Sequence, residues 1–203
     1  MRRQPYLRPS AAVLSLFVSL ALAPAWAGSE DENLPNFQKT NDHVYRGGQP
    51  TEEGFHQLSQ LGIKTVIDLR DIGEHSQADE QRVVTGLGMR YVSIPMKGLS
   101  APKDNQVTEA LGLLNDTTSG PVFIHCRRGA DRTGTVIALY RIQQDGWENK
   151  RALGEAKSYG MSFIERAMQH YVLNYKPGVV VAGATLAPAA AQVSGVSEPA
   201  QAR

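Results

Sequence analysis

A short apolar strand that ends in a cysteine and turns at once into a helix constrains this chain more than any other feature. Val122-Phe123-Ile124 runs into His125-Cys126, five residues follow, and Arg132-Thr133-Gly134 opens the next helix. A turn of that length between strand and helix lets successive backbone N–H groups curl around one dianion. The helix N-terminus directs its partial positive charge at the same point. Gly129 admits the backbone conformations that the curl requires, and small Ala130 and Gly134 allow close approach of ligand and neighbouring structure. Arg132 supplies a planar two-pronged donor set that matches two phosphoryl oxygens. Cys126, at the base of such a bowl, is surrounded by aligned amide dipoles and a guanidinium, which favour negative charge on sulfur. The pattern points to attack on phosphorus and a phosphocysteine intermediate that water hydrolyses, with Arg132 and the loop amides stabilising the equatorial oxygens in both steps. Thr133 is placed to hydrogen-bond the sulfur as it leaves. His125 is placed to order the loop rather than to act as a base. The competing use of an isolated cysteine at a strand end is as a small buried hydrophobe.

Helix and strand signals alternate around this loop. Thr51 and Glu52 start an amphipathic helix through Leu61, and Gly62 stops it before the run Lys64 to Leu69. A second helix, Gln77 to Leu87, precedes the strand Met89 to Ile94, and a third, about Asn105 to Thr117, precedes the cysteine strand. Helices at Thr133 to Gln144, Asn149 to Tyr159 and Phe163 to Tyr175 follow, the last two able to cover one sheet face. The reading is an α/β fold with a central, mainly parallel sheet of about four strands flanked by helices. The domain is expected over residues 41–176, with a polar, flexible lead-in at 28–40 and a flexible tail rich in Ala, Val, Pro and Gly at 177–203.

The first residues read differently. Arg2, Arg3 and Arg8 precede the apolar run Ala11 to Ala23, and Pro24-Ala25-Trp26-Ala27 offers small residues at alternating positions, which predicts a secretory signal peptide cleaved after Ala27. The run holds thirteen residues, two of them Ser, against the roughly 20 that a membrane span needs. Three of the 21 basic residues and none of the 20 acidic ones lie in that segment, so its removal takes the net charge from +1 to −2. No basic field remains to suggest nucleic acid as a partner. Only one cysteine exists, so an exported chain of this sequence forms no internal disulfide and its thiol needs another purpose.

His-Cys, five residues, then Arg-Thr resembles the signature of the cysteine-based protein tyrosine and dual-specificity phosphatases, and the likeness runs over about Asn41 to Tyr175. Val44-Tyr45-Arg46-Gly47-Gly48-Gln49-Pro50, the strand Val66-Ile67-Asp68-Leu69-Arg70, and Trp147 with Ala152-Leu153 and Glu155 are similar to compact bacterial members and atypical eukaryotic dual-specificity enzymes. The resemblance implies Cys126 as nucleophile, Arg132 as phosphate clamp, Thr133 as assistant to thiolate departure, and His125, Arg127, Arg128, Gly129, Ala130 and Asp131 as the bowl's lining. It implies no metal and no cofactor, and a phosphorylated protein as the usual substrate.

One part of that family's pattern is missing. The general-acid Asp usually found about thirty residues before the cysteine is replaced here by Ile94-Pro95-Met96. Two carboxylates remain as candidates for protonating the leaving group: Asp104, in the connector upstream of the cysteine strand, and Asp131, just before the clamp. Arg127 and Arg128 add cations at the mouth, which would suit a phosphorylated inositol or lipid, or else serve as solvated surface charge. Arg46, Asp68 and Arg70 fit best as ion pairs that brace strand ends. Two other classes stay open: a phosphate-binding module without a working acid, and a rhodanese-like sulfurtransferase, against which the spacing to Arg132 and Thr133 argues.

Overall fold

The computed structural model describes residues 31–178, so the expected signal peptide and most of the expected tail lie outside the described residues. Five strands form one sheet in the order β1-β2-β5-β3-β4: β1 (Gln38–Lys39), β2 (Val44–Gly47), β3 (Thr65–Asp68), β4 (Arg90–Ser93) and β5 (Val122–His125). All neighbours are parallel except β1, which runs antiparallel to β2 at the edge. The register places Gly47 and Asp68 on either side of His125, and Ser93 beside Asp68. The carboxyl ends of four parallel strands therefore finish level, and the cysteine loop leaves from the middle of that row. A crevice outside the carboxyl ends of the strands is where open α/β sheets bind ligands.

Both faces of the sheet are covered, and the strand period of two sorts the side chains between them. Val66 and Phe123 point to a layer with Leu34, Phe55, Leu58, Ile63, Val84 and Met89, built by α1 (Glu52–Gln60) and α2 (Gln77–Gly86). Val44, Ile67, Val122 and Ile124 point to the larger layer, built by α3 (Asp104–Asn115), α4 (Asp131–Gln144), α5 (Asn149–Ser158) and α6 (Arg166–Asn174). The helix α4 is central: eleven of its residues are buried, from Asp131 to Ile142. Trp147 closes this side as a cation–π shelf for Arg141 and Arg151, whose guanidinium carbons sit 4.8 and 3.7 Å from its ring. Arg141 also bonds Glu155 on α5.

Two boundaries differ from the sequence reading by more than a turn's fraying or carry new contacts, while α4 starts two residues early, at Asp131, and α3 ends at Asn115. The expected flexible lead-in contains the fifth strand, β1, and from Asp31 onward it packs on the domain. Leu34 is 5% exposed in the α1 and α2 layer. The Asn33 carbonyl accepts from the Thr51 amide, and Thr51, the N-cap of α1, donates its hydroxyl to Asn33 Oδ1 at 2.8 Å. The fit is close enough that a Cβ on Gly54 would meet the Asn33 carbonyl oxygen at 2.1 Å. The segment was unreadable because it contributes isolated contacts rather than a periodic apolar face. The last helix starts at Arg166 instead of Phe163, because the backbone of 162–165 is drawn towards the start of α4 by a bond from the Ser162 amide to Asp131. Replacing Leu34 by Ala should therefore lower the unfolding free energy by about 2–3 kcal/mol. The check is a shift in urea midpoint without change in slope, and an unshifted midpoint would mean the segment contributes nothing to the core.

Candidate active site

Between Cys126 and Arg132 the backbone is turned inside out by its neighbours. Three successive carbonyls are each held by a different segment: Arg127 O accepts from the Gln49 amide at 3.2 Å, Arg128 O from Asn36 Nδ2 at 3.2 Å, and Gly129 O from Arg46 Nη2 at 2.5 Å. Further back, His125 O accepts from the Leu69 amide at 2.9 Å. With the carbonyls tethered outward, the amides face inward. Among the described residues, the N–H groups of Arg127 to Arg132 donate to no protein acceptor, and the N-terminus of α4 has no side-chain cap. A run of amides without protein acceptors at an uncapped helix start marks a place for an acceptor with several oxygens. Gly129 makes the curl possible: its φ is +72°, and a Cβ there would meet the Gly47 carbonyl carbon at 2.4 Å.

Cys126 lies at the base of this bowl, 2% exposed. Thr133 Oγ1 is fully buried and makes no hydrogen bond among the described residues, which leaves it available to the sulfur. Arg132 is held along one edge of its guanidinium. Nη1 donates to Met96 O at 3.2 Å and to Glu74 Oε1 at 2.7 Å, and Nη2 donates to Glu74 Oε2 at 3.1 Å. Its Nε edge is left for a ligand. Burial works against the guanidinium charge, but Glu74 and the nearby Cys126 and Asp68 more than restore it and hold its pKa above the usual value. The same bond to Arg132 pulls the Glu74 carboxyl below its ordinary range. Glu74 is a positioning residue that the sequence did not reveal, since it stands in an irregular loop between β3 and α2.

Behind the bowl, an ionic network fixes the strand ends. His125 is fully buried, stacked on Phe123 at 5.6 Å, with Nε2 3.0 Å from Glu80 Oε1, a contact that ties the end of β5 to α2. Arg70 reaches both carboxylates, bonding Asp68 twice through its side chain at 2.9 Å and also Glu80. Gln49 donates to Glu80 at 3.0 Å, and Tyr91 to Asp68 at 3.0 Å. Asp68, His75 and Glu80 bring three possible metal-ligand atoms within 4.8 Å of one another, but the Arg70 guanidinium already neutralises both carboxylates there. Burial raises the cost of charge on Asp68, and the Arg70 bonds with the His125 field outweigh it, so its carboxyl titrates below the ordinary 3.8. Arg46, 1% exposed, stacks 4.4 Å from the Tyr159 ring while it holds Gly129 O; burial lowers its pKa. Asp68 and Arg70 thus have the bracing role read from the sequence, and Arg46 braces the bowl itself.

The two candidate acids sit in different places. Asp131 is part of the bowl's wall, with Oδ2 2.5 Å from Arg128 Nη2 and Oδ1 accepting from the Ser162 amide at 2.8 Å. Asp104 stands exposed in the first turn of α3, where Oδ1 accepts from the Tyr171 hydroxyl at 2.7 Å; Lys103, not Asp104, is the N-cap. Burial and Asp104 push the Tyr171 hydroxyl above its usual range. Arg128 is committed to Asp131, whereas exposed Arg127 has no ion-pair partner among the described residues. Ala130 is buried in the wall, 3% exposed.

The linkage through Asp68 has a definite sign. Its folded-state pKa is depressed, so its stabilisation is present above about pH 4 and lost as pH falls through the lower folded value. Asp68→Asn, which leaves Arg70 buried without its main partner, should cost about 3–5 kcal/mol near pH 7. That deficit should shrink below pH 4 when denaturation is followed as a function of pH; a deficit constant with pH would contradict the network.

Comparison with known proteins agrees with this geometry. The family described as DSP-PTPase phosphatase fused to NAD+ kinase matches residues 10–174. The chain is 31% identical over 140 residues to the dual specificity protein phosphatase TpbA of Pseudomonas aeruginosa strain UCBPP-PA14, covering 68% of this chain and 60% of that protein's length. It is 30% identical over 141 residues to inositol diphosphatase DSP5 of Arabidopsis thaliana, covering 66% of this chain and 67% of the relative. The crystal structure of P. aeruginosa TpbA superposes with a TM-score of 0.61 at 28% identity, covering 76% of this chain and 92% of that one. The core catalytic domain of the PP-IP phosphatase Siw14 from S. cerevisiae, in complex with citrate, shares the fold with a TM-score of 0.62 at 23% identity, over 70% of this chain and 87% of that one.

Proposed function

The chain belongs to the DSP-PTPase phosphatases, and on that footing we propose that it hydrolyses phosphate monoesters through a phosphocysteine intermediate on Cys126. The observation that carries this reading is the run of inward amides from Arg127 to Arg132 above a buried cysteine. A phosphoryl group in the bowl accepts from those amides and from the open Nε edge of Arg132, and Cys126 Sγ attacks phosphorus from below. The leaving oxygen departs with a proton. Water then attacks the phosphocysteine, releasing phosphate and the thiolate, to which the Thr133 hydroxyl donates. The same amides serve the charge of both transition states, so the rate gain is chiefly electrostatic.

The general acid in this reading is Asp131. It already forms the bowl's wall, and its Arg128 partner, whose side chain is 60% exposed, has room to leave. The Tyr171 bond instead commits Asp104 to α6. The substrate is a phosphorylated protein, as the relatives named dual specificity protein phosphatase suggest. A phosphorylated inositol is the second reading, favoured by exposed Arg127, which has no ion-pair partner among the described residues, and by the relative named inositol diphosphatase. The arginine-led apolar run and Ala25-Trp26-Ala27 support export after cleavage, with Gly28 as the first residue found on sequencing the exported form.

Turnover of an aryl phosphate with chelator present tests the chemistry. Cys126→Ser should abolish it, and Arg132→Lys, which loses the planar fork, should cut kcat/KM by about a hundredfold or more. Asp131→Asn should slow poor leaving groups about 10²- to 10⁴-fold and good ones much less, while Asp104→Asn leaves that dependence unchanged. Full activity in Cys126→Ser would exclude the mechanism, and the reverse pattern of the two Asp variants would move the acid to Asp104.

A further inference from the structure

The three loops that hold Arg132 and Asp131 also carry most of the exposed large apolar side chains among the described residues. Among the described residues six large hydrophobic side chains are exposed, and four stand on these loops: Ile72 (76%), Leu99 (63%), Phe163 (82%) and Ile164 (55%). Ile72 lies two residues from Glu74, which holds Arg132. Leu99 lies three residues beyond Met96, whose carbonyl holds Arg132 from another side. Phe163 and Ile164 follow Ser162, whose amide holds Asp131. The second and third loops are joined directly, because the Leu99 amide donates to Glu165 Oε2 at 2.9 Å. Leu99 takes a φ of +58°, an uncommon conformation for a large side chain, and there keeps most of its surface in water. A scatter of single exposed hydrophobes needs no explanation, but a concentration around one mouth does.

Cations share this rim. Lys97, Lys103, Arg127 and Arg166 are exposed and have no ion-pair partner among the described residues. Among the acids of these loops and of the adjoining helix starts, Glu74 pairs with Arg132 and Asp131 with Arg128, Glu165, 7% exposed, accepts from the Leu99 amide, and exposed Asp104 accepts from the Tyr171 hydroxyl. Apolar side chains standing mostly in water on separate loops, flanked by unpaired cations, match an interfacial surface better than a peptide groove. A peptide groove would seat its apolar residues in a concave wall. We propose that these loops seat the mouth of the bowl on an anionic lipid bilayer, with Phe163, Ile164, Leu99 and Ile72 entering the headgroup boundary and the four cations meeting lipid phosphates. That the bowl then faces substrate presented at the membrane surface rests on the phosphatase reading; the docking itself does not.

The test is co-sedimentation of the chain from Gly28, which retains both layers of the core, with vesicles of phosphatidylcholine alone or mixed with phosphatidylglycerol. The wild type should pellet with the anionic vesicles, weakly with the neutral ones, and less as salt rises. Leu99→Ser combined with Phe163→Ser should lower partitioning about tenfold or more, while hydrolysis of a soluble aryl phosphate stays at the wild-type rate. Lys97→Gln with Arg166→Gln should remove the preference for phosphatidylglycerol. A wild type that stays in the supernatant overturns the proposal, as does a Leu99→Ser, Phe163→Ser variant that pellets normally. If that variant instead raises KM for phosphopeptides with apolar flanks without altering sedimentation, the surface is a peptide site. Vesicle binding that persists in a protein without turnover would leave docking intact and count only against the phosphatase reading.

Discussion

The outward tethering of three successive carbonyls is the constraint on which the site depends. A peptide unit cannot turn its C=O one way without turning the following N–H the other, so fixing Arg127 O, Arg128 O and Gly129 O on Gln49, Asn36 and Arg46 aims the amides that follow at a single point above Cys126. Those three partners come from the segment before β2, from β2 itself and from the turn after it. The sheet register brings them into place, since β2 lies beside β5 with Gly47 opposite His125. The charge that a phosphate carries is thus met by backbone dipoles already oriented in the folded state, so little reorganisation remains for the moment of reaction.

The buried charges behind the bowl follow from the same need. A loop whose amides lack protein partners is held against collapse only if its anchors are stiff, and Asp68, Arg70 and His125 at the ends of β3 and β5, with Glu80 of α2, supply that stiffness. Removing one member strands the others in a poorly solvated site, which costs more than the pair contributes against an apolar replacement. Glu74 extends the scheme to the clamp by gripping one edge of Arg132 and leaving the other open. The residues that stiffen the fold here also hold the bowl and its clamp in shape.

How much of this was legible in the sequence depended on whether the signal was local. The cysteine loop, the helices at Glu52–Gln60 and Gln77–Gly86 and the parallel strands could be read because each is written in spacing and periodicity along one stretch. Asp68 and Arg70 could be read as braces because they stand at a strand end two residues apart. Asn36 could not, since its amide reaches Arg128 O across 92 positions. Glu74 was hidden for the same reason, 58 positions from Arg132, in a loop without periodicity. Leu34 sits in a polar segment where one apolar residue makes no pattern, yet it closes a core layer. The apolar rim is likewise visible only once three separate loops are seen to converge.

The account stands on Cys126 as the atom that takes the phosphoryl group. The most direct measurement is rapid acid quench of the enzyme during turnover of an aryl phosphate, followed by peptide mass analysis. The account predicts one added phosphoryl group on the peptide that contains Cys126, absent in Cys126→Ser. Turnover with the phosphoryl group on another residue, or undiminished turnover in Cys126→Ser, would contradict it.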